Sequence, residues 1–199
     1  RFLMLNPLQI QANEKMKEYP LEKLPNEDKR ENVDRQQLIA GPVPIEHYVE
    51  AHKGLIIACH DIILAYNCGA LLVQRDNDPA KGELWPIGGK LARGLSAENS
   101  LKLKVREECG LELEEITFLG VERTLFFTYP FGHGKGTDSI NLMYCAKGVG
   151  EVNLNKLHSR PTVVKPEAYT AEFRATLHPY VQDIMDLSMP YIEKWFYGE

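Results

Sequence analysis

The stretch Gly89-Lys-Leu-Ala-Arg-Gly-Leu95-Ser-Ala-Glu-Asn-Ser-Leu-Lys-Leu103-Lys104-Val105-Arg-Glu107-Glu108-Cys109-Gly110-Leu111 decides the fold. It predicts a loop followed by a helix. Ser96 is a good N-cap, and Glu98 stands near the positive helix end. Ala97, Leu101, Val105 and Cys109 recur at i, i+4 and form one apolar stripe. Gly110 stops the helix, because glycine adopts the left-handed conformation that ends one. Glu107 and Glu108 fall in the last turn.

Outward from this segment, the chain alternates strands and loops. Leu55 to Ala65 reads as a strand buried on both faces, although Asp61 lies inside it. Asn67-Cys-Gly69 makes a turn into a partner strand, Ala70 to Arg75. Asp76 to Gly82 reads as loop, and Glu83 to Ile87 leads into Gly88-Gly89. Further strands are expected at Ile116 to Glu122, Thr124 to Tyr129 and Ser139 to Ala146, with a glycine-rich loop from Phe131 to Thr137. After a polar loop, Thr170 to Phe196 reads as mainly helical, broken near Pro179 and Pro190. Ile45 to His52 predicts a short helix behind Pro42 and Pro44. Residues 1–43 form an extension too poor in apolar side chains to build a core, 44–165 the main domain, and 166–199 a helical segment packed on it. The expected fold class is an α/β/α sandwich with a mixed β-sheet.

Composition narrows the function. At 199 residues, with 44% hydrophobic and 26% charged residues, the chain has the make-up of one ordinary globular domain with decorations. A net charge of −5 without a long basic tract argues against a nucleic-acid partner. No apolar run reaches the roughly 18 residues of a membrane span. The chain begins at Arg1, as a fragment would, and its first residues lack a signal-peptide layout. Cys59, Cys68, Cys109 and Cys145 make no C-x-x-C pair and read as reduced core residues of a cytoplasmic protein.

In register, Gly89, Val105, Glu107, Glu108, Gly110 and Leu111 resemble the Nudix box, G-x5-E-x7-R-E-U-x-E-E-x-G-U, with U apolar. Gly69-Ala-Leu-Leu-Val-Gln-Arg75, then Trp85, then Gly88-Gly89 precede it in the order that family shows. The resemblance implies the Nudix fold and a magnesium or manganese ion held by the Gly88 carbonyl and Glu108, with Glu107 a weaker ligand. Three positions depart: Leu95 replaces Glu, Leu103 replaces Arg and Lys104 replaces Glu. Lys104 shares a helix face with Glu108, so a cation competes where the pattern has a carboxylate. A multi-metal pyrophosphohydrolase mechanism is thereby disfavoured, and one ion is expected.

The segment 71–82 with Gly88-Gly89-Lys90-Leu91 is similar to the GDP-mannose mannosyl hydrolase branch, which lacks some box residues and releases the sugar and a nucleoside diphosphate. That resemblance implies a catalytic base at His158, diphosphate contacts from Arg75, and substrate contacts from Asp61, Lys90 and Asp138, the last within Gly136-Thr137-Asp138. It also implies a small-molecule nucleotide substrate and a homodimer. Neutral histidine suits a base at cellular pH, and fixed cations suit charge developing on phosphate. Two other readings stay open: a Nudix pyrophosphohydrolase acting on another nucleotide, and a nucleotide-binding module whose chemistry has lapsed.

Overall fold

The computed structural model describes residues 43–198, so the extension expected over 1–43 lies outside them apart from Val43. In chain order the elements are α1 (Ile45–Gly54), β1 (Ile57–Tyr66), β2 (Gly69–Arg75), β3 (Leu84–Trp85), β4 (Ile87–Lys90), α2 (Ala97–Cys109), β5 (Glu112–Phe126), β6 (Thr137–Val149), β7 (His158–Val164), α3 (Ala171–Thr176) and α4 (Pro179–Tyr197). A short 3₁₀ turn at Pro166–Ala168 precedes α3.

One seven-stranded sheet runs in the order β3-β2-β1-β6-β5, with β4 on β1 and β7 on β2. Among the described residues only β1 and β6 pair in parallel, which makes the sheet mixed. β1 turns into β2 through Asn67 (φ 47) and Cys68 (φ 63), two left-handed residues of the kind a two-residue hairpin uses.

Strand alternation sorts the core into two layers. Ile62, Leu64, Leu71, Val73, Tyr144 and Ala146 face α2 and meet its Leu101, Val105 and Cys109. Ile63, Ala65, Ala70, Leu72, Met143 and Cys145 face α4 and meet its Val181, Ile184, Met185 and Ile192. The α/β/α sandwich expected from the sequence is therefore the one observed. α2 begins and ends as its sequence predicts: the Ser96 hydroxyl accepts from the Asn99 N–H at 3.2 Å, and Gly110 closes it at φ 75.

The structure departs from the sequence expectation in several details: Leu55 and Ile56 are exposed ahead of β1, and Cys68 is exposed in the β1–β2 turn rather than in the core. The two strands expected at 116–122 and 124–129 are one 15-residue strand, β5, which keeps pairing with β6 across irregularities at Glu114/Thr117 and Phe118/Gly120. The polar stretch after β6 contains β7, which tolerates Pro161 because it lies on an edge, pairing only with β2. Pro190 does not break the last helix; it sits inside α4, where seven buried residues from Tyr180 to Ile192 hold the segment against the sheet. The lost backbone bond of a helical proline is outweighed there by burial, since each buried large apolar side chain contributes about 1.5–3 kcal/mol.

Candidate functional site

β1 and β6 run on beyond the part of the sheet that α4 covers, and their side chains become the floor of a cavity of about 310 Å³. Asp61 follows from β1 alternation, on the same face as Ile63. It is 6% exposed, and its Oδ2 accepts a hydrogen bond from the Tyr180 hydroxyl of α4 at 2.6 Å. Burial pushes its carboxyl up to about 6, against the pull of the Tyr180 bond and the Arg75 charge. Opposite Asp61 in the β1–β4 pairing stands Gly88. A Cβ there would land on Asp61 Oδ1 and the His60 carbonyl, so only glycine lets the two strands close at this point.

Glu108, at the end of α2, reaches the same cavity and is 5% exposed. Its Oε2 accepts from the Gly88 N–H at 3.4 Å, and Lys104 Nζ stands 3.6 Å from Oε1. Burial nevertheless pushes the Glu108 carboxyl up to about 7, with Lys104 the largest opposing influence. His158, at the start of β7, brings Nε2 to 3.9 Å from Glu108 Oε2. The Asn155 side-chain oxygen already accepts from the Leu157 N–H, which fixes it as an acceptor. His158 Nδ1–H donates to that oxygen at 3.2 Å, leaving the Nε2 lone pair free. Burial, then the Arg75 charge, drives His158 down to about 4, so its ring is neutral at cellular pH.

Arg75 ends β2 with its guanidinium 6.0 Å from the Trp85 ring centre. Its Nε is buried with no hydrogen-bond partner among the described residues. Burial lowers its pKa, and the carboxylates Asp61 and Glu108 oppose that shift. A half-buried guanidinium whose Nε donor is unfilled, lining a cavity, is suited to an anion. Lys90 lies on the rim with Nζ 4.9 Å from the Tyr48 ring centre.

The structure thus brings Asp61, Arg75, Gly88, Lys90, Glu108 and His158 to one cavity. Two expected residues stand apart. Asp138 is held by Arg123 through bonds of 3.0 and 2.7 Å outside the cavity lining, although Thr137 and Ser139 on either side belong to it. Glu107 is exposed, and its backbone carbonyl, rather than its carboxylate, is engaged, accepting from Asn155 at 3.4 Å. Sequence reasoning missed Tyr180, which no local signal ties to Asp61. It also missed Tyr48 and His52 of α1, and the polar run Thr124, Ser139 and Asn141. Ser139 and Asn141 had a signal, since polar residues two apart in one strand share a face.

Among the described residues no three His, Cys, Asp or Glu side chains converge as a ready-made metal cage. The donors present fit a smaller demand. Magnesium accepts one or two carboxylates when substrate phosphates and water complete its shell. Glu108 and the Gly88 carbonyl can meet that demand for one ion arriving with a diphosphate. With Lys104 beside Glu108, they do not fit a cluster.

Comparison with known proteins agrees with this architecture. No family model matches the chain. The low-salt glycan biosynthesis protein Agl8 of Haloferax volcanii is 28% identical over 130 residues, covering 63% of this chain and 78% of that protein. Among solved structures, the MutT NUDIX hydrolase of Burkholderia pseudomallei superposes with a TM-score of 0.53 at 18% identity, over 66% of this chain and 96% of that one. The NUDIX domain of Shewanella oneidensis NrtR, complexed with ADP ribose, gives 0.51 at 16% identity, over 73% and 96%. At these identities the likeness concerns architecture alone, and on that ground the chain has the Nudix fold.

Proposed function

We propose that this protein is a hydrolase of a nucleoside diphosphate sugar, GDP-mannose-like, that releases the sugar and the nucleoside diphosphate. The observation that carries the reading is the pairing of Arg75, a half-buried cation with an unfilled Nε donor, with a neutral histidine, His158, in one cavity whose metal donors amount to Glu108 and Gly88. Arg75, Lys104 and Lys90 supply fixed positive charge for a diphosphate, so a departing diphosphate is stabilised largely by side chains. His158 offers the Nε2 lone pair to water. Its low pKa keeps it unprotonated, and the negative charge of a bound diphosphate raises its affinity for the proton it takes. Asp61, fixed by Tyr180, presents a hydrogen-bond acceptor to the substrate. A divalent ion held by Glu108 and the Gly88 carbonyl would add Lewis-acid neutralisation of the phosphate oxygens. The glycan-biosynthesis name of the Haloferax relative supports a carbohydrate substrate. The same reading takes the protein to be a cytoplasmic homodimer.

A second reading is favoured by Lys104, 3.6 Å from Glu108: a nucleotide-binding module in which the ammonium has taken the metal's place and chemistry has lapsed. Incubation with GDP- and UDP-sugars and magnesium, with products resolved by chromatography, separates the readings. Free sugar with nucleoside diphosphate is the expected outcome. Sugar phosphate with nucleoside monophosphate points to a pyrophosphohydrolase, and tight binding without turnover to the lapsed module.

A further inference from the structure

Three uncharged side chains run across the cavity floor where β5 meets β6. Thr124, Ser139 and Asn141 are 8%, 7% and 3% exposed, and all line the cavity. The Asn141 amide donates to Thr124 Oγ1 at 3.0 Å, and the Thr124 and Ser139 hydroxyls bond to each other at 2.8 Å. Thr124 and Ser139 are directly paired across the strands, and Asn141 is paired with Glu122. Thr124 Oγ1 has a second lone pair beside the one that accepts from Asn141, so either hydroxyl can donate to the other, and in both arrangements one hydroxyl proton of the pair stays free. The Asn141 side-chain oxygen takes no hydrogen bond from the described residues. The run therefore offers an open acceptor on Asn141 and one open hydroxyl donor beside it.

Beside it stands an aromatic wall. Phe126 follows Thr124 on the same strand face and meets Trp85 edge-on at 5.8 Å. Phosphate is better served by Arg75, Lys104 and Lys90, and three neutral groups give it little. A sugar ring is the better match. Each hydroxyl both donates and accepts, so two neighbouring hydroxyls satisfy an acceptor and a donor together, while the C–H faces pack against aromatic carbon.

We propose that Thr124, Ser139 and Asn141 form the subsite that binds the hydroxyl groups of the sugar and sets which sugar is accepted. The assignment rests on the proposed reading of the cavity as a nucleoside diphosphate sugar site and names its carbohydrate half. A site built on oriented hydrogen bonds discriminates more sharply than an apolar pocket, because a ligand lacking the hydroxyl leaves buried partners unpaired.

Isothermal titration calorimetry on the full chain, with calcium replacing magnesium so that the sugar stays attached, tests this with GDP-mannose and GDP. The variants are Thr124→Val and Asn141→Leu, singly and together, with Thr124→Ser as the hydroxyl-retaining control. The double variant should bind GDP-mannose about tenfold more weakly, and GDP within about twofold of the wild type. Thr124→Ser should keep GDP-mannose binding that Thr124→Val loses, and this pair alone carries the test if the double variant does not fold. Equal weakening for both ligands, or no weakening for either, overturns the subsite. Wild-type protein that binds GDP-mannose no better than GDP overturns it as well. Failure of the wider reading shows separately, in wild-type protein that binds neither ligand.

Discussion

A carboxylate buried as deeply as Asp61 pulls against the fold whenever it is ionised, and the direction follows from its pKa. Folding raises that pKa from about 3.9 in an unfolded chain to about 6. The native state therefore holds the proton more tightly, and stability falls as pH rises between those values, then levels off. Asp61→Asn should be more stable than wild type at pH 8, by roughly 1–3 kcal/mol, and show no advantage near pH 4; thermal melts across that range measure it. At His158 the expectation is kinetic: His158→Ala should lower turnover at least about tenfold, with ligand affinity little changed, and an unaltered rate removes it from the mechanism. Lys104→Glu puts a carboxylate where an ammonium now faces Glu108 at 3.6 Å. Manganese binding followed by electron paramagnetic resonance should tighten about tenfold or more, since a repelling charge becomes a ligand. Charged residues were the readable part of the cavity. Asp61 inside an apolar run, Arg75 at a strand end, and Lys104 with Glu108 at i, i+4 all announce themselves locally. Tyr180 did not, because its partner is 119 residues away in sequence.

At the scale of elements, α2 combines legible sequence signals with a measurable consequence. Its Ser96 cap satisfies one of the backbone N–H groups that every helix start leaves over. Ser96→Ala should cost about 1 kcal/mol in urea unfolding. The loss should be the same with and without substrate, because the cap lies at the opposite end of the helix from Glu108. The layering of β1 and β2 between α2 and α4 was also readable, since unbroken apolar runs mean strands covered on both faces. β7 was hidden. His158-Ser-Arg-Pro-Thr-Val-Val164 looks like loop because an edge strand needs few apolar residues and admits proline. The length of β5 was hidden too: Glu122-Arg123 resembles a break, yet both residues stay in register with β6 while pointing to solvent.

For the molecule as a whole, α4 serves both the core and the cavity. Ile184 is wholly buried against the sheet, while Tyr180, one turn earlier, holds Asp61. Ile184→Ala should cost about 2–5 kcal/mol in chemical denaturation. Tyr180→Phe, which keeps the ring and loses the hydroxyl, should leave the fold intact while loosening Asp61. The first change reads as stability, the second as weaker substrate binding. The Tyr180–Asp61 bond also bears on timing. The floor of the cavity is synthesised early and its lock late, so during translation a ribosome must pass Tyr180 before Asp61 can be fixed in place. A nascent chain paused in β6 would have Arg75 and Glu108 already polymerised, yet would lack both His158 and the hydroxyl that aims the carboxylate, so the cavity stays incomplete until the closing helix has been made.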